Sequence, residues 1–393
     1  MPTTFWTPCE TCFPSPVHAG SGAGGDQPAP WHHFPCPLIE RIASELDLSR
    51  GLISLTTALP VLCMGLLAPL APRLAMRFGL ERVIALCLLL IVIACGVRVA
   101  GHASAVLIGS AVLLGAGIAI AGPLVSGFIK RHFHDQVGRV VAWYSLSMTI
   151  GGASGAVLTE PVTQALANEW SMGLAFWALP ALAAMILWLF LPNRAETSSE
   201  AGGSGGLPWR EPRAWLITAF FAIQAGLFYA LTTWLVARYH EAGFSVLRSN
   251  SLFSLFMLVG LPSAFILPWL AQRYDNRYQL LLGCGITSSL CLGMITFAPG
   301  LYPEVWAVLL GLGLSGSFAL SMVLPLYEVN TSLAVSRWTA MMLFAGYSLG
   351  SLTPVLAGLG RDLGGNYQLP FMVFTGLAVT MCVLAWMLGR RRA

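Results

Sequence analysis

A few side chains in this sequence could do chemistry inside otherwise apolar stretches, and Arg98 is the charged one. It lies in Cys95-Gly96-Val97-Arg98, close to the end of such a stretch. A charged group among apolar side chains is costly, so it indicates function by default when the stretch spans a membrane. Two interpretations stay open. Arg98 attracts an anionic substrate, or its long side chain extends to the membrane surface as a structural residue.

Uncharged polar and aromatic residues also interrupt the apolar stretches. Their hydroxyl, amide and ring groups could bind a small polar solute by hydrogen bonding and stacking. Bonds between neighbouring helices are the alternative role for the same side chains. The candidate substrate-binding residues are Arg98, Tyr144, Gln224, Tyr229, Trp234 and Tyr347.

Cysteine and histidine patterns do not predict a metal site. Cys9-x-x-Cys12 and His32-His33-x-x-Cys36 have zinc-like spacing, but their surroundings are rich in proline and offer no second ligand pair. The sequence also has no phosphate-binding loop, nucleophile elbow or paired-histidine protease motif. We therefore expect no metal, no cofactor and no enzymatic activity.

The elements that must position the candidate residues are long apolar segments. Charged residues form 10% of the chain and hydrophobic residues 56%, whereas soluble domains carry about 25% charged residues. About 20 apolar residues in a helix cross a bilayer, and the backbone there must satisfy its own hydrogen bonds. The sequence predicts an all-α membrane protein with eleven spans, near 51–72, 83–101, 103–129, 138–160, 171–191, 214–237, 249–271, 279–298, 305–327, 338–360 and 368–388.

Basic residues predict the orientation of these spans. Alternate loops and the C-terminal tail carry fifteen Lys and Arg residues, whereas the other loops carry three. Cytoplasmic loops hold the excess of Lys and Arg, so the C-terminus is predicted to be cytoplasmic. Because these charges are dispersed rather than gathered in a stripe, they do not indicate binding to nucleic acid.

Two similar segments indicate an internal repeat. Residues 72–82 and 268–277 both begin with proline, end one span and start the next. A Gly- and Ser-rich stretch typical of a flexible linker lies between them, in 192–213. We predict an irregular tail at 1–36, an N-terminal helical bundle at 37–191, a cytoplasmic linker at 192–213 and a C-terminal six-helix bundle at 214–389. Parallel six-helix halves are typical of major facilitator transporters.

The repeat predicts one more span than the sequence supplies. The second half has six predicted spans and the first half has five, so a first helix would be expected before residue 51. Residues 1–36 contain many Pro and Gly residues and no apolar span. Two explanations are considered: a displaced start or frameshift upstream, and a genuine eleven-helix variant.

Several segments resemble the cyanate/nitroimidazole-transporter branch (CynX/NimT type) of the major facilitator superfamily. The similar segments are 37–83, PLVSGFIKRHF at 123–133, YSLSMTIGGASGA at 144–156, GLGLSGSFAL at 311–320 and GNYQLPF at 365–371. The resemblance covers about 37–390. It implies two six-helix halves that rock around a site at the membrane midplane, with the helix that carries Gln224 and Tyr229 lining the cavity.

The loop at 72–82 resembles the gating signature of this superfamily, which has an Asp followed by Arg or Lys. Met76 occupies the Asp position, while Arg77, Gly79 and Arg82 remain. In the second copy Gln272 occupies that position, next to Arg273 and Asp275. The resemblance implies gating roles for these residues, with Glu81, Asp135 or Glu328 as substitute partners of the arginines.

Small residues recur at spacings of four in two predicted spans. Gly151 and Gly155 resemble the glycine motif of the fifth helix in this superfamily, and Gly346 and Gly350 repeat the pattern. Such spacings allow close helix contact. We expect these glycines at an interface between the halves, where either sliding or static packing would explain them.

The function predicted from these features is secondary-active or facilitated transport by alternating access. The substrate implied by the resemblance is a small anion or small polar organic compound, similar to cyanate or a nitroimidazole. Drug or metabolite efflux, and a non-transporting sensor or degenerate paralogue, are the alternatives. The expected setting is the lipid bilayer of the bacterial inner membrane, as a monomer, with a coupling ion left open.

Overall fold

The computed structural model describes residues 59–100, 103–133, 136–166, 169–190 and 206–390. These residues form helices and contain no strand. The predictions about 1–36 and about a missing first helix fall outside the described residues. The helices in chain order are α1 Leu59–Leu66, α2 Leu70–Phe78, α3 Leu80–Gly96, α4 Ser104–His132, α5 Val137–Ala165, α6 Trp170–Ala175, α7 Ala178–Leu189, α8 Pro212–Glu241, α9 Val246–Tyr274, α10 Arg277–Phe297, α11 Pro303–Glu328, α12 Ser332–Gly350, α13 Thr353–Gly364 and α14 Gln368–Arg390.

Helices occupy every predicted span within the described residues. Nine of them are long and apolar enough to cross a membrane, counting Trp170–Leu189 and Ser332–Gly364 as single spans. A tenth is reached if α1 and α2, which meet at 63°, form one span. Nine or ten of the eleven predicted spans therefore meet this criterion within the described residues. The remaining predicted span, 138–160, is occupied by α5, a helix of 29 residues.

Both copies of the repeated sequence end a helix with a residue of positive φ. Gly79 follows α2 with φ 84°, and Asp275 follows α9 with φ 48°. Glycine adopts such angles freely, and aspartate tolerates them better than most residues. The chain therefore turns within two residues, and α3 and α10 begin at once.

One end of the bundle, here called the basic end, gathers the termini that carry most of the Lys and Arg residues. Two ion pairs between side chains at these helix termini identify this end of the bundle. Arg131 at the end of α4 pairs with Glu81 at the start of α3 at 3.0 Å. Arg213 at the start of α8 pairs with Glu328 at the end of α11 at 2.5 Å.

The outer surface of the bundle is apolar, as a lipid-facing surface requires. Leu187, Leu258 and Leu290 are exposed by 70%, 65% and 61%. The interior holds small and aromatic residues, with Phe220 and Phe221 of α8 fully buried. An exposed apolar belt of this kind would be an aggregation hazard in water and is favourable in lipid.

The first half of the chain (59–190) and the second half (206–390) meet along four helices. In these contacts α4 packs against α12, and α5 packs against α9. The rings of Trp143 and Phe265 stack edge to face, with centroids 5.3 Å apart. These two contacts position the site between the halves.

Candidate functional site

A small cavity lies between the two halves, enclosed by α1, α4 and α5 on one side and by α11 and α12 on the other. Its volume is about 20 Å³, enough for one or two water molecules. Its lining combines hydroxyl groups with methionine and other apolar side chains. Among the lining residues are Ser126, Tyr144, Thr339, Tyr347, Met64, Met148, Met322 and Phe318.

Helical periodicity places these side chains on the cavity face. Thr339, Leu343 and Tyr347 recur every four residues on α12, and Tyr144 and Met148 do so on α5. Residues four apart on a helix lie on one face. Each of these helices therefore lines the cavity with several residues along one face.

Two of the six candidate substrate-binding residues line this cavity, and a third packs behind one of them. Tyr144 and Tyr347 reach the cavity from opposite halves. The Tyr229 ring packs against Tyr347 with centroids 6.4 Å apart, and Phe221 packs against the same ring at 5.7 Å. Tyr229 thus supports the Tyr347 ring from α8.

Gln224 and Trp234 are not lining residues of the cavity. Gln224 is 1% exposed, and its Nε2 donates to the Leu314 carbonyl at 3.2 Å, which links α8 to α11. The Trp234 Nε1 donates to the Pro354 carbonyl at 2.8 Å, and its ring packs against Tyr367. Both contacts lie within the second half and match the alternative role of helix packing.

Arg98 neither lines the cavity nor reaches the surface. It is 3% exposed, and its Nε donates to Ser110 Oγ at 2.9 Å. Ser110 in turn donates to the Leu107 carbonyl at 2.8 Å. The expectation of an Arg98 that extends to the membrane surface is wrong, because its side chain is buried and donates to Ser110 inside the first half.

Hydrogen bonds at the basic end of the bundle join the two halves. Lys130 Nζ donates to the Leu326 carbonyl at 2.7 Å, and Arg131 Nη2 donates to Ser332 Oγ at 3.4 Å. On the other side of the cavity, the Arg139 N–H donates to Gln272 Oε1 at 2.6 Å. These contacts join the halves without any of the residues predicted to gate, and Met76 occupies the position of the signature carboxylate.

The residues predicted to gate have other partners than expected. Arg77 and Arg82 are exposed, and Arg77 lies over the neighbouring Phe78 ring. Glu81 pairs with Arg131, not with these arginines.

In the second copy, Arg273 is exposed over the Trp269 and Tyr274 rings, and Asp275 pairs with Arg277. Glu328 pairs with Arg213. Asp135 falls outside the described residues. The expected substitute pairs of Glu81 and Glu328 are wrong, because the ends of α4 and α8 bring other arginines closer.

Gly346 and Gly350 lie at a close helix contact as predicted, but this contact is within the second half and not between the halves. A Cβ on Gly346 would overlap the Phe221 ring, and one on Gly350 would press on Ala225 at 3.3 Å. These glycines therefore let α12 approach α8. Gly151 and Gly155 are half-buried on α5.

Other glycines make the close approaches between the halves. A Cβ on Gly127 would overlap Ser336 of α12, and one on Gly138 would come within 2.7 Å of the Pro268 carbonyl of α9. The sequence did not indicate these positions, because a single glycine in an apolar helix has no repeated spacing that would mark a close helix contact. The lining residue Ser126 was also missed, and Lys130, which contacts the other half at Leu326, was counted only as an orientation charge.

Within the described part of the chain, no group of three or more His, Cys, Asp or Glu residues could hold a metal ion. The polar groups of the cavity are hydroxyls, which bind solutes by hydrogen bonds. The arrangement suits reversible binding of a small molecule between two helical bundles.

A helical bundle with a central cavity between its halves is the architecture of a membrane transporter. The family described as Major Facilitator Superfamily matches residues 34–351, so the chain belongs to this superfamily. The solved structure of FucP, a major facilitator transporter in the outward conformation, has a TM-score of 0.71 and 12% identity, over 90% of this chain and 95% of that one. The family and the fold confirm the predicted all-α transporter class, which is not an enzyme.

Two curated relatives are similar over most of their length. The cyanate transport protein CynX of Escherichia coli is 33% identical over 335 residues, 84% of this chain and 86% of that protein. The 2-nitroimidazole transporter of Escherichia coli is 27% identical over 359 residues, 90% of each chain. The predicted resemblance to this branch is confirmed.

Proposed function

We propose that this protein transports a small anion or a small polar organic compound, similar to cyanate or a nitroimidazole, by alternating access. The observation that carries the proposal is the cavity between the halves, closed at the basic end by Lys130, Arg131 and Gln272. Rocking of two bundles around such a site exposes it to each side in turn.

The cavity chemistry supports a small substrate. At a volume of about 20 Å³ the cavity holds one or two water molecules, so binding of any solute of the proposed class requires the halves to move apart. Four hydroxyls supply hydrogen bonds, and three methionine side chains adapt to the shape of an apolar or planar solute. Such a lining suits cyanate and nitroimidazoles, which are the compounds in the names of the two curated relatives.

The proposed setting is the bacterial inner membrane, with the basic end in the cytoplasm. The excess of Lys and Arg at this end supports that orientation. We also propose the two-half division, 37–191 and 214–389, joined by the linker at 192–213, and a monomer as the working unit. A coupling ion stays open, since the cavity polar groups are hydroxyls.

Uptake by purified protein in liposomes tests the proposal. Labelled cyanate and labelled 2-nitroimidazole are supplied outside, and empty liposomes serve as the control. Uptake of either solute above that control, with saturation, is the expected result. Absence of uptake of both, in protein that is folded and inserted, would contradict transport of these compounds and favour the non-transporting alternative.

A further inference from the structure

Thr339 faces the first half from the middle of α12. Ser336, Thr339 and Leu343 follow one another at spacings of three and four, so they share one face of the helix. Two close approaches to α4 bound this face: a Cβ on Gly127 would overlap the Ser336 hydroxyl, and one on Gly122 would lie 3.4 Å from Leu343 Cδ1. Thr339 therefore lies between these two contacts, on the face that α12 turns toward the first half.

The cavity lies at this level of the two helices. Thr339 is one of its lining residues, and so is Ser126, which lies between Gly122 and Gly127 on α4. The two residues thus approach one cavity from opposite halves. Because the threonine oxygen is bonded directly to Cβ, a change of rotamer moves it only within the width of the side chain. The Thr339 hydroxyl is therefore part of the cavity wall.

The Thr339 hydroxyl has no hydrogen-bond partner among the described residues, although the residue is only 1% exposed. A hydroxyl in a helix can donate to a carbonyl of the preceding turn. Ser336 does so on the same helix, to the Ser332 carbonyl at 3.1 Å, and Ser321 does so on α11, to the Ser317 carbonyl at 2.6 Å. Leaving a buried donor unbound costs free energy, and a ligand in the cavity would remove this cost.

An unbound hydroxyl alone does not identify a binding residue. Thr218 on α8 is 2% exposed and also has no hydrogen-bond partner in the described part of the chain, yet it is not among the residues that line the cavity. Thr339 combines an unused donor with a place on the cavity wall. Thr218 therefore provides a matched control of the same residue type and burial.

We infer that Thr339 is a solute-binding residue, whose hydroxyl donates a hydrogen bond to a nitrogen or oxygen acceptor of the transported solute. The inference rests on the proposed function and assigns one contact of its binding site. The hydroxyl proton is available for this contact because no carbonyl of the described residues accepts it. Thr339 thus contributes to solute binding and not to the packing of α12.

Uptake kinetics in liposomes compare the wild type with Thr339→Val, Thr339→Ser and Thr218→Val, using labelled cyanate and labelled 2-nitroimidazole. Valine keeps the shape of threonine and removes the hydroxyl, whereas serine keeps the hydroxyl. KM for the transported solute should rise about three- to tenfold in Thr339→Val, the loss expected for one hydrogen bond. KM should change less than about twofold in the other two variants. The Tm of Thr339→Val should not fall, because the hydroxyl bonds to no described residue.

An unchanged KM in Thr339→Val, or an equal rise in Thr339→Ser or Thr218→Val, would overturn the inference. A rise in KM together with a lower Tm in Thr339→Val would assign the hydroxyl to packing and would also overturn it.

If the wild type takes up neither solute, the proposed function fails separately, and a measurement that needs no solute decides. A small water-soluble methanethiosulfonate reagent is applied to Thr339→Cys and Thr218→Cys, with the wild type as the background for its native cysteines. Faster modification of Thr339→Cys than of the other two proteins supports a position on the solute path. Modification of Thr339→Cys at the rate of the other two proteins overturns the inference.

Discussion

Two phenol hydroxyls line the cavity from opposite halves, on Tyr144 and Tyr347. Replacing Tyr347 by Phe removes a hydroxyl and keeps the ring that packs on Tyr229 and Phe221. We expect KM for uptake to rise roughly three- to tenfold with little change in maximal rate, because one hydrogen bond contributes about 0.5–1.5 kcal/mol.

Uptake kinetics in liposomes measure this effect, with Tyr144→Phe as a second cavity variant. Tyr274→Phe is the matched control, because Tyr274 is exposed at the end of α9. Equal KM values in the wild type and both cavity variants would remove the two hydroxyls from the binding site.

Glu328 belongs to the architecture of the second half, not to the cavity. It pairs with Arg213 Nε at 2.5 Å and accepts a hydrogen bond from the Tyr278 hydroxyl. Glu328→Gln should lower the free energy of unfolding by about 1–3 kcal/mol, less than at a fully buried pair, because the Arg213 side chain is 20% exposed. The melting temperature of the detergent-solubilised protein checks this.

Glu304→Gln is the matched control for Glu328. Glu304 pairs with Arg248 at 2.8 Å, but both side chains are more than half exposed, and exposed pairs contribute little to stability. A larger loss of Tm in Glu304→Gln than in Glu328→Gln would contradict this assignment.

Among the helices, α4 and α12 approach closely at Gly127, and we expect this approach to control closure of the basic end. A side chain at Gly127 would overlap Ser336 and come within 2.9 Å of the Ser332 carbonyl. Gly127→Val should therefore hold this end open and lower uptake at least about tenfold, since packed interfaces do not deform continuously.

The position of this interface can be measured with a cysteine introduced by Ser332→Cys. A water-soluble maleimide should label it faster in the presence of Gly127→Val than in its absence. Gly109→Val is the control on the same helix, because nothing lies within 4 Å of a Cβ at Gly109. Equal labelling rates with and without Gly127→Val would contradict the closing role of this contact.

For the whole molecule, orientation in the membrane follows from the distribution of Lys and Arg. We expect reporter tags at the C-terminus and in the linker at 192–213 to lie on the cytoplasmic side. A tag inserted after Gly300, in the turn between α10 and α11, should lie on the opposite side. A periplasmic signal from either of the first two tags would reverse the predicted orientation.

The sequence predicted the helical class and the helix positions well, because a span must be long, apolar and internally hydrogen-bonded wherever it lies. The turns after α2 and α9 were likewise visible in the repeated segments around Gly79 and Asp275. Site residues were harder to predict. Tyr144 and Tyr347 line the cavity, whereas Gln224 and Trp234 bond to Leu314 and Pro354 within the second half.

The sequence by itself thus determined the membrane class, the family resemblance and the set of polar residues available to a site. Only the tertiary structure decided which of them meet. A polar residue in an apolar helix has the same local pattern whether it faces a cavity or a neighbouring carbonyl, because the choice depends on the rotation of the helix and on what packs opposite. Lys130 shows this most clearly: its sequence context marks a loop charge, and its side chain donates to the Leu326 carbonyl of the other half.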